Sequence, residues 1–364
     1  MTIRPLRYEL LDHWRGFAAL AVLWFHAASP WFAQSVPLGL GWFAALAEEG
    51  WRGVHLFFVI SGYCIAQLAL RAAEVRQSVG AFLRSRCLRI FPCYWAACVA
   101  AIALGLAALP FNHAALVASR DVPGVLPGSL QAVIAHLLLV EPFVGLPSYL
   151  LVAWSLSWEI SYYLLTGLLV LVAQQTRLSV AVGLGLILSF VGAWPVASAA
   201  LPLLGGWSEF ACGACVYAAA VAESKGRPVT PWIGVIIALG LAGLLASRSG
   251  SQLPLAAGFA LLLHVLRRHD SALARIRAGR LFALCGTMSF SLYLIHAPVV
   301  THVRNLLARL VSPTSPWFAG VIILATAAGC AAGWLFFKRI EEPLERWRKS
   351  LDRGPHSPLA NPVK

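Results

Sequence analysis

Charge is what this 364-residue sequence has least of: 12% of its residues are Asp, Glu, Lys or Arg, against about a quarter in a water-facing domain. A chain so poor in charge cannot cover its surface with groups that hold water, which excludes an ordinary soluble domain. Long polar loops are scarce as well. The eight cysteines therefore fall in or beside apolar stretches, and no disulfide framework is expected. Cys212 and Cys215 are spaced C-x-x-C without a second pair or a histidine cluster. They read as helix-packing residues, and no metal site is expected. No repeat of solenoid period is visible, nor an inverted symmetry between the halves.

Apolar residues make up 59% of the chain and the mean hydropathy is +0.75. A helix of about twenty apolar residues crosses a bilayer. Segments of that kind are predicted over 10–30, 51–70, 88–109, 151–173, 178–198, 203–222, 231–247, 252–267, 281–302 and 316–337, with 130–143 as an eleventh, re-entrant or surface helix. The expected fold class is thus all-α, a polytopic bundle of about ten transmembrane helices. Residues 1–350 form one membrane domain, and 351–364 a disordered cytoplasmic tail. Arg4 and Arg7 precede a short apolar run, as in a signal peptide. Asp12, Arg15 and His26 lie too close to that run, so it reads as a retained first helix.

The net charge of +13 is spread over short clusters between apolar runs. That distribution forms no basic face for nucleic acid. With both termini cytoplasmic, 22 of the 28 Lys and Arg residues fall on the cytoplasmic side. The other side keeps Arg52, Arg120, Arg248, Arg304 and Arg309. The bias is that of a multi-pass protein of the cell inner (plasma) membrane.

Ionisable groups at bilayer depth cost at least about 2.5–3.5 kcal/mol each, so each needs a reason. The first segment holds Asp12, Arg15 and His26. Arg15 and His26 are eleven residues apart, about three turns and roughly 16 Å along the axis. They share a stripe with Ala19 and Val22, small enough to leave room for a ligand, and Asp12 is placed to pair with Arg15. Two readings stand: interfacial charges that snorkel, or one polar channel. Arg86 and Arg89 share a face at a membrane entrance, a guanidinium pair suited to phosphate or a topological anchor. Glu159 lies inside an apolar helix with Trp154 nearby. Ser61 precedes Gly62 in the second segment, and His296 stands beside Ser289, Ser291 and Tyr293. Glu209 is a weaker candidate.

The segments LDHWRGFAALAVLWFH, GVHLFFVISGY, RSRCLRIFPCYW, WSLSWEISYYLL, SFSLYLIH and KRIEEPLERW, in this order, resemble acyltransferase family 3 of the membrane-bound O-acyltransferases. The resemblance runs along almost the whole chain. It implies that Arg15 and His26 are essential and that Arg86 and Arg89 match the family's paired arginines. It also implies transfer of an acyl group, usually acetyl from cytoplasmic acetyl-CoA, to a hydroxyl of a cell-surface glycan or similar acceptor. Two departures stand out: His55 replaces a frequent aspartate, and Ile160-Ser161 replaces a frequent Glu-Gln.

Acyl transfer from a thioester to an alcohol needs a base and oxyanion donors. His26 is the candidate base, with Glu159 and His296 as further catalytic candidates. Arg15, Arg86 and Arg89 are candidates for holding acyl-CoA, with Asp12, Ser61 and Trp154 in support. The expected partners are acyl-CoA, a carbohydrate or lipid-linked glycan acceptor and membrane lipid. No permanently bound cofactor is expected; acetyl-CoA serves as donor substrate. The alternatives are a secondary transporter for a lipid-linked or glycan precursor, with paired broken helices, and a membrane scaffold or sensor.

Overall fold

The computed structural model describes residues 8–32, 36, 37, 39–118, 129–246 and 251–352. Arg4, Arg7, Arg120, Arg248 and the tail from 353 to 364 lie outside them. Among the described residues the chain forms helices and turns and no strand. In order these are α1 (Leu10–Ala28), α2 (Gly41–Glu48), α3 (Gly53–Glu74), α4 (Val79–Ala118), α5 (Leu130–Leu138) and α6 (Ala153–Gln175). Then follow α7 (Leu178–Gly192), α8 (Pro195–Ala200), α9 (Trp207–Ser224), α10 (Thr230–Leu245) and α11 (Leu253–Leu266). The last are α12 (Asp270–Ala274), α13 (Arg280–Thr287), α14 (Ser289–Leu307), α15 (Phe318–Phe336) and α16 (Glu342–Asp352).

Large apolar side chains such as Val99, Ile187, Leu244 and Ile323 stay exposed on the outside of the bundle. In water they would drive aggregation; in hydrocarbon they cost nothing. By length and composition, four helical stretches can cross a membrane: Gly41–Glu74, Val79–Ala108, Ala153–Gln175 and Phe318–Leu351. The pair α13–α14 adds a fifth when counted as one span.

Several predicted segments change shape on folding. The segment 281–302, expected as one helix, is two helices bent by 83° at Met288. The break frees backbone N–H groups at the start of α14, and Glu341 caps that of Ser291. Its Oε2 accepts from the Ser291 N–H at 3.1 Å and the Ser291 hydroxyl at 2.5 Å, a carboxylate at a helix N-terminus. A π-helical turn over Phe337–Glu341 joins α15 to α16 and carries that carboxylate. Segment 178–198 stops at Gly192 and restarts with Pro195 in the first turn of α8, where a missing N–H is tolerated. Segment 130–143 is a short helix capped by the Ser129 side chain, followed by a tight turn. It is too short to span a bilayer. Helix α16 continues through Asp352, two residues into the segment expected as disordered tail.

Two helix crossings are set by reciprocal glycines. A Cβ on Gly16 would lie 1.8 Å from the Phe282 carbonyl oxygen, and one on Gly286 the same distance from that of Asp12. These fix α1 on α13. A Cβ on Gly62 would meet the Phe210 carbonyl oxygen at 1.9 Å, and one on Gly213 that of Val59 at 1.8 Å. These fix α3 on α9. Without a hydrophobic drive between helices in lipid, such backbone approach supplies the dispersion that holds them. Cys212 and Cys215 are buried in the same α3–α9 core. Gly213→Val should therefore force α3 and α9 apart at a cost of about 1–3 kcal/mol. A lower unfolding temperature of the purified protein is expected; an unchanged one would contradict the packing.

Candidate active site

At its N-terminal end α1 turns Arg15 towards α3. The guanidinium donates to Asp12 Oδ1 at 3.1 Å and to Cys64 Sγ at 3.1 Å. The expected Asp12–Arg15 pair is present, and a thiol takes part that sequence reasoning passed over. Ala19 and Val22, expected to leave space for a ligand, are 1% and 2% exposed and buried in apolar packing. Their small size admits neighbouring helices: Val22 Cγ2 lies 3.0 Å from where a Cβ on Gly53 would be.

The neighbouring cluster grows around Glu159. Its Oε1 accepts from the Ser61 hydroxyl at 2.9 Å and the Tyr163 hydroxyl at 2.5 Å. Tyr163 is one turn beyond Glu159 on α6, so the helix repeat supplies the partner. From α4, Arg86 is 9% exposed and donates to the Ser85 hydroxyl at 3.1 and 3.2 Å. Arg89, three residues on, is exposed and lies within electrostatic reach of Tyr163, Glu159, Cys64 and Glu345. Among the described residues neither arginine has a carboxylate at ion-pair distance.

Helix α16 packs across the start of α4. It brings Arg348, paired with Glu345 at 3.0 Å, within electrostatic reach of Arg86. Arg15, Arg86 and Arg89 thus gather near Glu159 and Ser61. Arg348, Tyr163 and Cys64 join them.

At its other end α1 places His26 against α14. The His26 and His296 ring centroids are 5.2 Å apart. His296 is fully buried, and its Nδ1 lies 3.0 Å from the Leu292 carbonyl oxygen. A carbonyl only accepts, so Nδ1 carries the proton and Nε2 presents a lone pair. Among the described residues no group bonds that Nε2. Arg304, counted in the sequence among loop charges, is inside α14 and 5% exposed. It donates to the His26 carbonyl at 2.6 Å and to the Ser29 hydroxyl at 2.7 Å, closing the end of α1. Its spacing of eight from His296, two turns on one face, was the available signal.

Between the two ends α3 and α14 meet through Phe57 and Tyr293, edge to face at 5.6 Å. The Tyr293 hydroxyl bonds Ser155 Oγ at 2.7 Å and the Val152 carbonyl at 3.1 Å. Tyr293 also lies 5.9 Å from His296. Ser291 belongs to the Glu341 cap and not to the histidine pair. Trp154 stacks edge-on to Trp158 at 5.1 Å and has no bond to the polar cluster.

His55 and Glu209 form a separate buried pair, Nδ1 to Oε2 2.7 Å, between α3 and α9. The histidine at position 55 thus puts an imidazole against Glu209.

A family model described as an acyltransferase domain matches residues 8–335. Peptidoglycan O-acetyltransferase OatA of Listeria monocytogenes serovar 1/2a is 26% identical over 370 aligned residues, which cover 92% of this chain. The chain spans about half, 55%, of that relative's length. No solved structure matches.

Arg304→Met leaves the His26 carbonyl and the Ser29 hydroxyl without their donor, at a cost of about 1–3 kcal/mol. The expected outcome is a lower unfolding temperature, partly restored by Arg304→Lys. Equal stability of all three proteins would contradict the clamp.

Proposed function

Because this chain belongs to the acyltransferase family whose model spans nearly all of it, we propose that it moves an acetyl group from cytoplasmic acetyl-CoA to a hydroxyl of an extracytoplasmic glycan. The observation that carries this reading is the separation of chemistries along α1. Arg15, Arg86 and Arg89 gather near one end, and an imidazole pair, with Arg304 bound to the helix carbonyl beside it, sits at the other. A coenzyme A thioester is anionic at one end and reactive at the other, and a pantetheine arm has a length comparable with the gap. The name of the OatA relative supports a cell-wall glycan as acceptor class.

The proposed topology is ten spans, α1, α3, α4, α6, α7, α9, α10, α11, α13 with α14, and α15, with both termini cytoplasmic. Its support is the 22-to-5 split of basic residues. In this frame Arg86, Arg89, Arg15 and Arg348 receive the donor's phosphates at the inner mouth. His26 and His296 face the acceptor near the outer one. The Phe57–Tyr293 contact lies between the two, an apolar junction that the thioester arm must part to reach the histidines.

His26 removes the proton from the acceptor hydroxyl as that oxygen attacks the thioester carbonyl. The tetrahedral intermediate expels the coenzyme A thiolate, which takes the proton from the imidazolium. Acetate ester and free coenzyme A result, with no net change in protons. The lone pair on His296 Nε2 offers the proton a second seat. Glu159, fixed by Ser61 and Tyr163, lies within electrostatic reach of Arg86 and Arg89. A secondary transporter predicts paired broken helices. Among the described residues one pair is sharply bent, α13 with α14, and the family match favours acyl chemistry.

Two variants test the reading in purified protein supplied with acetyl-CoA and glycan. His26→Ala should lower turnover by about 10²–10⁴-fold with donor binding retained. Full turnover in that folded variant would remove the base assignment. Arg86→Ala should weaken coenzyme A binding by about tenfold or more. Unchanged binding would leave Arg86 a topological anchor.

A further inference from the structure

An unassigned space lies away from the residues just described. A cavity of about 500 Å³ opens between five helices. Ala69 and Leu70 of α3, Thr166 and Leu169 of α6, Gly185 of α7 and Ala218 of α9 line it, with Trp232 of α10 at its edge. Its walls are mostly apolar, and small residues leave the volume unfilled. One end is different. Glu74, Lys225 and Arg227 line it there, at the turn that follows α9.

The charges at that end are unevenly satisfied. Arg267 and Arg268, nearby on the chain after α11, both pair with Glu223. Lys225 and Arg227, the two cations that line the cavity, have no carboxylate at ion-pair distance among the described residues and are exposed. With Glu74 included, the mouth keeps a net positive charge. An apolar slot under a cationic rim complements one chemistry: a hydrocarbon chain with an anionic head. Basic pockets between helices on the cytoplasmic face are where anionic phospholipid heads bind.

The dimensions agree. The lining residues run along α9 from Lys225 to Trp207, eighteen positions and about 27 Å of axial rise. That reaches from one membrane surface well past the bilayer midplane, far enough for a fully extended acyl chain.

Two of these helices, α3 and α6, also carry the polar cluster around Glu159. Ser61 on α3 and Glu159 on α6 make their hydrogen bond across the interface of these two helices. An occupant wedged against Leu70 and Leu169 therefore bears on the spacing that this bond requires.

We propose that this cavity is an intramolecular site for one anionic glycerophospholipid of the cytoplasmic leaflet. Its phosphate sits between Lys225 and Arg227, one acyl chain fills the space among α3, α6, α7 and α9, and its presence braces the Ser61–Glu159 contact. The leaflet assignment rests on the topology proposed above; the site itself does not.

The test is native mass spectrometry of the purified full-length protein, titrated with phosphatidylglycerol, phosphatidylcholine and an isoprenoid phosphate. One phosphatidylglycerol should bind about tenfold more tightly than phosphatidylcholine. The double variant Lys225→Gln/Arg227→Gln, altered only at exposed positions, should bind the two equally. Ala218→Phe, which fills the cavity, should lose the tight lipid. Equal binding of both phospholipids by the unaltered protein would mean an unspecific lipid shell and overturn the proposal. So would undiminished binding by Ala218→Phe, or tighter binding of the isoprenoid phosphate. None of these measurements uses acyl-CoA, so a failure of the acyl-transfer reading would be seen separately, as absent turnover in a protein that still selects its lipid.

Discussion

A helix that buries polar groups at both ends must find partners for them, and α1 does so by binding a different neighbour at each end. Arg15 reaches α3 through Cys64. The far carbonyls are closed by Arg304 of α14, and His26 lies against His296 of the same helix. In hydrocarbon each ionisable group left alone costs at least about 2.5–3.5 kcal/mol. These contacts therefore decide where α3 and α14 stand, and with them the Phe57–Tyr293 junction. The glycine pairs at the α1–α13 and α3–α9 crossings make the approach sterically open.

The same economy of position explains the C-terminal segment. The bend between α13 and α14 exposes backbone donors, and Glu341 satisfies that of Ser291. The π-helical turn that carries Glu341 also sets the direction of α16. That direction lays Arg348 and Glu345 beside Arg86 and Arg89. Capping a broken helix and bringing Arg348 and Glu345 to Arg86 and Arg89 are thus one structural act, performed by the KRIEEPLERW stretch.

Much of this was legible in the sequence because buried charge is conspicuous against an apolar background. Arg15, Arg86, Glu159 and His26 stood out that way, and helical spacing paired Asp12 with Arg15. Helix positions followed from run length. What was hidden depended on contacts between distant segments. Ser61 became a partner of Glu159 only through the α3–α6 interface, and Cys64 a partner of Arg15 only through α1–α3. Arg304 looked like a loop charge because it follows an apolar run, while its two-turn spacing from His296 marks it as an inward residue. The break at Met288 had no proline to announce it. The small stripe of Ala19 and Val22 was read as space, but small residues in lipid also mean close packing.

The central claim is that donor and acceptor meet from opposite sides of the membrane along α1. The most direct measurement places the purified protein in sealed vesicles of uniform orientation. Acetyl-CoA labelled in its acetyl group is supplied only to the face that carries α16, and glycan only to the other. The account predicts labelled acetyl on the glycan, lost in His26→Ala. Label appearing only when both substrates share one compartment would contradict it.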